Sequence, residues 1–274
     1  MKKLLIIIAF CILIPNIVDA KTVYFTNVNG VELTKQQYEN LSKVFSYDTI
    51  ATLNEEQINL YKNNSNLKAE KTFKYIKIEK DNVKNGYKES IVTQQEAEEF
   101  LNKSTRGSTH QTTMKKVSIS LLNLHSVKTV TVTNEWFSIP STKSFDVIGF
   151  RNGVSTPITI NSVSGYQKWD GNLISYNNSS SNIKRNTDGC GLSTNISDNV
   201  TQSLSNSITV TFYNNEITYT AYGTYQHAQS NVTLSESQNY SFSANGLGGV
   251  LNFASSVRGK YDGMQGVNIT STAG

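Results

Sequence analysis

The stretch 207–225 (SITVTFYNNEITYTAYGTY) constrains the fold more than any other part of this chain. Apolar and polar residues alternate from Ile208 to Phe212 and again from Ile217 to Ala221, the period of a strand with one buried face. Asn214-Asn215 separates the two runs, and asparagine tolerates the positive φ of a tight two-residue turn. Closing a hairpin there predicts Phe212 opposite Ile217, Val210 opposite Tyr219 and Ile208 opposite Ala221. Thr211 then faces Thr218 and Thr209 faces Thr220. One side of such a hairpin is apolar and the other is a threonine ladder left in water, and a one-residue slip mixes them. A lone hairpin is marginal in water, so its apolar side is expected to lie on a second sheet.

Most of the remaining chain carries the same signature. With 274 residues, 37% hydrophobic and only 17% charged, it is long enough for one large or two modest cores. Beyond residue 113 charge thins, and short strand-like runs alternate with Gly, Asn, Asp and Ser clusters, as in a sandwich or barrel. Predicted strands include 117–122, 126–133, 145–151, 155–160, 232–234, 240–243, 249–253 and 267–270. Upstream, Thr34 and Gln37, Thr52 and Glu55, and Thr93 and Glu96 fit helix capping boxes. Residues 72–79 and 87–92 read as a hairpin turned at Asn85-Gly86. The expected fold is mainly β: a C-terminal antiparallel β-sandwich (114–274) preceded by a small α+β region (21–102), with 103–113 as linker.

Residues 1–20 read as a secretory signal peptide. Lys2 and Lys3 precede an apolar core, and Val18-Asp19-Ala20 offers a small-residue cleavage site. A lipoprotein reading centred on Cys11 lacks the small residue that should precede it, since Phe10 stands there. No later run is long and apolar enough to span a membrane. Removal of Lys2, Lys3 and Asp19 lowers the net charge from +4 to +3, and without clustered Lys/Arg this argues against a nucleic-acid partner. Cys190 is then the single cysteine, so no intramolecular disulfide forms. The pattern NGVELTKQQYENLSKVFS (29–46), together with WFSIPSTKSFDVIG (136–149), resembles uncharacterised secreted proteins of low-GC Gram-positive bacteria. The resemblance implies export in a Gram-positive setting and brings no activity or site residues.

Catalytic motifs are scarce. The three histidines, His110, His125 and His227, lie in no zinc-hydrolase context, and no G-x-S-x-G elbow, Ca²⁺ loop or phosphate loop is present. Cys190, in an expected exposed, flexible turn at Asp188–Gly191, pairs only with His227 as a thiol nucleophile and base, and Asp188 works against thiolate formation. Glu135, Asp146, Asp170 and Asp188 read as solvated acids at strand ends. No catalytic residue, cofactor or metal ligand is assigned. The aromatic residues carry more: Tyr166, Trp169 and Asp170 in an expected loop, with Trp136 beside another, suit stacking on sugar rings. These four are the candidate binding residues, against the plainer role of filling the core. The expected function is a secreted, non-enzymatic protein that binds a cell-surface, cell-wall or glycan partner. Two alternatives stand beside it. One is a hydrolase whose site assembles in space, with 21–102 as a prosegment released near Arg106. The other is a membrane-active protein built on the 207–225 hairpin, whose apolar runs are shorter than the roughly 9–11 residues a spanning strand needs. The regular threonine array at 129, 131 and 133 also invites comparison with flat ice-binding surfaces, although threonine is common on any solvated strand face.

Overall fold

A computed structural model describes residues 22–81, 86–104, 112–242, 250–263 and 266–273. The expected signal peptide, most of the 103–113 stretch with Arg106 and His110, and the Gly246–Gly249 stretch, whose glycines read as a turn in the sequence, lie outside them. The N-terminal part holds β1 (Phe25–Thr26), β2 (Glu32–Leu33), α1 (Lys35–Ser42), α2 (Tyr47–Thr52) and α3 (Glu55–Tyr61). The hairpin β3 (Glu70–Asp81) and β4 (Gly86–Val92) follows, then α4 (Gln94–Ser104). Next come β5 (Thr112–Leu124), β6 (Val127–Trp136), β7 (Phe145–Asn152), β8 (Thr159–Trp169) and β9 (Asn172–Asn177). The chain continues through β10 (Ile183–Asn186), β11 (Gly189–Asn195), β12 (Leu204–Tyr213) and β13 (Thr218–Gln226). It closes with α5 (Leu234–Ser237), β14 (Tyr240–Phe242), β15 (Leu251–Phe253), α6 (Ser255–Arg258) and β16 (Val267–Thr272).

These strands form the expected antiparallel sandwich. One sheet has the order β4-β3-β5-β6-β12-β8-β9 and the other β10-β11-β7-β13-β16. Between them lies a core that includes Val117, Ile119, Val132, Ile148, Phe150, Leu192, Ile208, Phe212 and Tyr219. The expected linker joins α4 to β5, and the large sheet is continuous across it, because β3 pairs with β5 from Glu70↔Leu121 to Glu79↔Thr112.

The 207–225 hairpin is a correction. β12 bonds to β6 and β8 in the large sheet, whereas β13 bonds to β7 and β16 in the other. The two runs therefore meet face to face across the core, with Phe212 and Tyr219 ring centroids 5.3 Å apart, rather than edge to edge. Alternation fixes which face is buried, and an arch satisfies it as fully as a hairpin. The link spans 214–217 and is shaped by Asn214, whose Oδ1 accepts from the Glu216 amide at 2.9 Å. Its carbonyl accepts from the buried Lys128 at 2.7 Å. Ile217, expected in the core, is 56% exposed.

The solvated threonine face is half right. On β13, Thr218 and Thr220 pair with Thr272 and Thr270 of β16; Thr218 is exposed and Thr220 half-buried. On β12, Thr209 and Thr211 are buried, because α1–α3 pack over the outer face of the large sheet. Their hydroxyls bond to Thr131 (3.1 Å) and Thr129 (2.8 Å) on β6. The Tyr61 hydroxyl meets Thr129 at 2.5 Å, and Gln57 Nε2 donates to the Thr209 carbonyl at 3.2 Å. Leu122, on the outer face of β5, completes the apolar core of this helical cap with Leu41, Phe45, Ile50, Ile58 and others.

Local signals behave as chemistry requires. The Thr34–Gln37 box opens α1 and the Thr93–Glu96 pair opens α4. The predicted Thr52 box does not form. Thr52 ends α2 with its hydroxyl bonded back to the Asp48 carbonyl, and Leu53 is extended. Asn54 and Gln57 cap α3 instead. The predicted strand at 232–234 is likewise a cap, with Thr233 and Glu236 boxing α5. α5, α6 and the β14–β15 pair cover the outer face of the smaller sheet through Val147, Ala228, Leu251 and Phe253.

Tyr61 joins cap to sheet, so Tyr61→Ala is expected to lower global stability by about 3–5 kcal/mol, as for other buried aromatics. Tyr61→Phe should cost about 1 kcal/mol. Urea titration of both variants checks the order; equal midpoints for Tyr61→Ala and wild type would refute the docking role.

Candidate functional site

Beside the helical cap, the outer face of the large sheet is left partly open as a groove of about 680 Å3. Outward positions of β5, β6 and β12 supply its floor: Ser118, Ser120, Thr133 and Ser205. The cap contributes Phe45, Ser46, Asp48 and Thr49 as one wall. On the far side, Phe73 is 46% exposed and packs edge-on to Tyr75 at 5.4 Å, while Tyr75 lies 5.8 Å from Phe137. The Lys116 ammonium sits 5.0 Å from the Phe73 ring centroid and 3.9 Å from Glu135. Lys168 is held 2.8 Å from Asp48 near the opposite wall. Hydroxyls, an aromatic strip and paired charges thus face one solvent-open cleft. Such a surface can stack an apolar C–H face and hydrogen-bond polar substituents.

The four residues singled out from sequence do not form one site. Trp136 and Tyr166 both border the groove, yet they are only 5% and 3% exposed and belong to opposite sheet faces. Trp136 points into the sandwich, where its indole N–H donates to the Tyr225 hydroxyl at 3.1 Å. Tyr166 points outward under α2, and burial foremost raises its phenol pKa. Trp169 is half-buried against the core, in one row with Leu204 and Trp136. The expected loop is instead the end of β8. The turn lies at Asp170-Gly171, both at positive φ (47° and 84°), and Gly171 takes that conformation without side-chain strain. Asp170 is half-buried and occupied. Its carboxylate accepts from the backbone amides of Thr201 (2.7 Å), Gln202 (2.9 Å) and Ser203 (2.8 Å). Those amides, Thr201 first, hold its pKa well below the usual carboxylate range.

The nucleophile idea also needs correction. Cys190 lies within β11, fully buried, and burial pushes its thiol up to about 12. The exposed flexible turn expected around it is a strand paired with β10 and β7. His125 sits in the β5–β6 turn at a φ of 62°.

What the sequence reading missed is a cluster of charge inside one end of the sandwich. Asp146, taken for a solvated acid, is fully buried and accepts from the Tyr225 hydroxyl, from the Ala228 amide at 2.8 Å and lies 3.0 Å from His227 Nδ1. Next to it, the Lys115 Nζ is 2.5 Å from Asp262 Oδ2, 3.3 Å from Glu89 Oε1 and 3.2 Å from the Tyr225 carbonyl. The signal was present: Lys115 is in phase with Val117, Ile119 and Leu121, and Asp146 with Ile148 and Phe150. A charged residue on the apolar phase of a strand points to a buried partner.

No family model matches the chain, and no curated protein matches it. Among solved structures, it is similar to the KRT10-binding region domain of the pneumococcal serine-rich repeat protein PsrP. That match is 12% identical, covers 58% of this chain and 86% of that one, and has a TM-score of 0.29. The full-length major pilin SpaD from Corynebacterium diphtheriae is 9% identical over 56% of this chain and 54% of its own, with a TM-score of 0.26. These are partial likenesses between β-sheets. Among the described residues, no helix is long and apolar enough to cross a membrane.

Asp170 supplies a pH test. A carboxylate with a depressed native pKa stabilises the state it binds above its unfolded value of about 3.9, and loses this as pH falls through the native value. Amides of Thr201, Gln202 and Ser203 should therefore stay protected at pH values where free aspartate is already protonated, and lose protection in Asp170→Asn. Equal exchange in both proteins at neutral pH would contradict the anchoring role.

Proposed function

We propose that the protein is an exported, non-enzymatic binding protein of the cell surface, and that it takes a neutral, polar ligand, a glycan of the surface or wall, in the groove beside the helical cap. The observation that carries this reading is the pairing of a hydroxyl floor with an aromatic strip open to solvent. Sugars present the matching pattern of C–H faces and hydroxyl rims. Phe73 supplies the stacking surface, Lys116 and Glu135 supply a donor and an acceptor at its edge, and the Ser/Thr floor supplies short-range hydrogen bonds. Four of the groove's charges lie in opposite pairs, Lys116 with Glu135 and Lys168 with Asp48, and Lys71 on β3 adds a single further cation, a near balance that favours a neutral ligand over a strongly charged one.

Two variants test this without touching the core. Phe73→Ala and Glu135→Gln should each weaken retention on cell-wall fractions or a glycan panel by about tenfold, about 1.4 kcal/mol. Ile174→Ala, exposed on β9 away from the groove, should leave it unchanged. Absence of any retention by the wild type, or equal retention by Phe73→Ala, would overturn the proposal.

A further inference from the structure

Lys115 and Asp262 are both without solvent exposure at their side chains, and Glu89 has only 3%. Burying an ammonium and a carboxylate together is often no more favourable than apolar packing, because desolvation opposes the attraction. Around this pair the walls are aromatic, with the Trp136 and Tyr225 ring centroids 5.7 and 5.5 Å from Nζ. The partners are also held rigidly. Lys115 lies in β5 between β3 and β6. Asp262 Oδ1 accepts from the His227 amide at 3.0 Å, and its own amide donates to the His227 carbonyl at 2.9 Å. Glu89 contacts both, and its Oε2 is buried with no other partner.

We propose that Lys115 and Asp262 become joined by an intramolecular amide bond, with Glu89 as the group that moves the protons. An amine and a carboxyl held in contact in a dry site gain the large effective concentration of oriented reactants, and exclusion of water favours condensation over hydrolysis. Within the ion pair the ammonium first returns one proton to the Asp262 carboxylate, giving a neutral amine and a neutral acid. The Nζ lone pair then attacks Asp262 Cγ and the C–N bond forms. Glu89, protonated, gives its proton to the departing hydroxyl and takes one from the nitrogen. The C–O bond breaks, one water leaves, and Glu89 ends in its starting form. No oxidant or reductant is needed. Burial foremost raises the Glu89 pKa to about 8, which keeps it a proton donor at neutral pH.

The bond would tie β5 of the large sheet to the segment entering β16 of the smaller one, across 147 residues of chain. It locks the two sheets together in a protein whose lone described cysteine is buried and free. This inference is independent of the groove and its ligand.

Intact-mass spectrometry on the purified protein tests it, with the N-terminus determined on the same sample. The expected mass is below the sequence mass by one water, and a digest should release a branched peptide containing Lys115 and Asp262. Glu89→Gln, nearly isosteric, should fold with an unchanged circular-dichroism spectrum yet carry its full sequence mass, as should Lys115→Arg. A wild type at full sequence mass, or a water deficit that persists in Lys115→Arg, would overturn the proposal.

Discussion

Four threonine hydroxyls on β6 and β12, those of Thr129, Thr131, Thr209 and Thr211, are held away from water, and each needs a partner. They supply one another across the two strands, and Tyr61 and Gln57 of α3 close the network from above. This is what makes the helical cap part of the β-structure. β12 is an interior strand of the large sheet with its apolar side in the sandwich core and Thr209 and Thr211 under α3, so from Asn206 to Phe212 it has no face in water. A cap attached only through apolar contacts could slide; one that must satisfy buried hydroxyls is fixed in register. The groove follows from that registration, since its floor is the continuation of the same Ser/Thr face beyond the edge of the cap.

The opposite face of the same sheet solves a different problem. At one end of the sandwich, Lys115, Asp262, Glu89, Asp146, His227 and Tyr225 replace apolar packing with charge and hydrogen bonds. Such a site is high in cost if any member is left unmatched and rigid if all are matched. Its members come from β4, β5, β7, β13 with His227 just beyond its end, and the segment before β16, so both sheets converge there.

How much of this the chain reveals by itself depends on the range of the interaction. The strand character of 117–122, 145–151 and 207–212 is written in period-2 alternation, which is local. Pairing is not: the hairpin read at Asn214-Asn215 is an arch, because alternation records which side is buried and not which edge is bonded. Thr209 and Thr211 read as solvated because threonine suits either a wet strand face or a dry one supplied with hydroxyl partners. Those partners, Tyr61 and Gln57, lie far upstream. Trp136 and Tyr166 read as ligand-binding aromatics because an aromatic ring fits a core and a cleft equally well. Lys115 stood in phase with the core residues of β5, and that placement was the legible trace of the charge cluster. The Thr52 box failed for a purely local reason, the extended Leu53 that separates α2 from Asn54.

The burial of the β12 threonine face is the claim on which cap, groove and register all rest, and thiol labelling measures it directly. Cys190 is buried and provides a silent background. In Thr211→Cys, the native protein should react with a maleimide reagent only at the rate of global unfolding. Tyr213→Cys, two residues on and at a position 46% exposed, should react at the rate of a free thiol. Fast labelling of Thr211→Cys in a protein that retains its native spectrum would show that face to be open to water and would contradict the account.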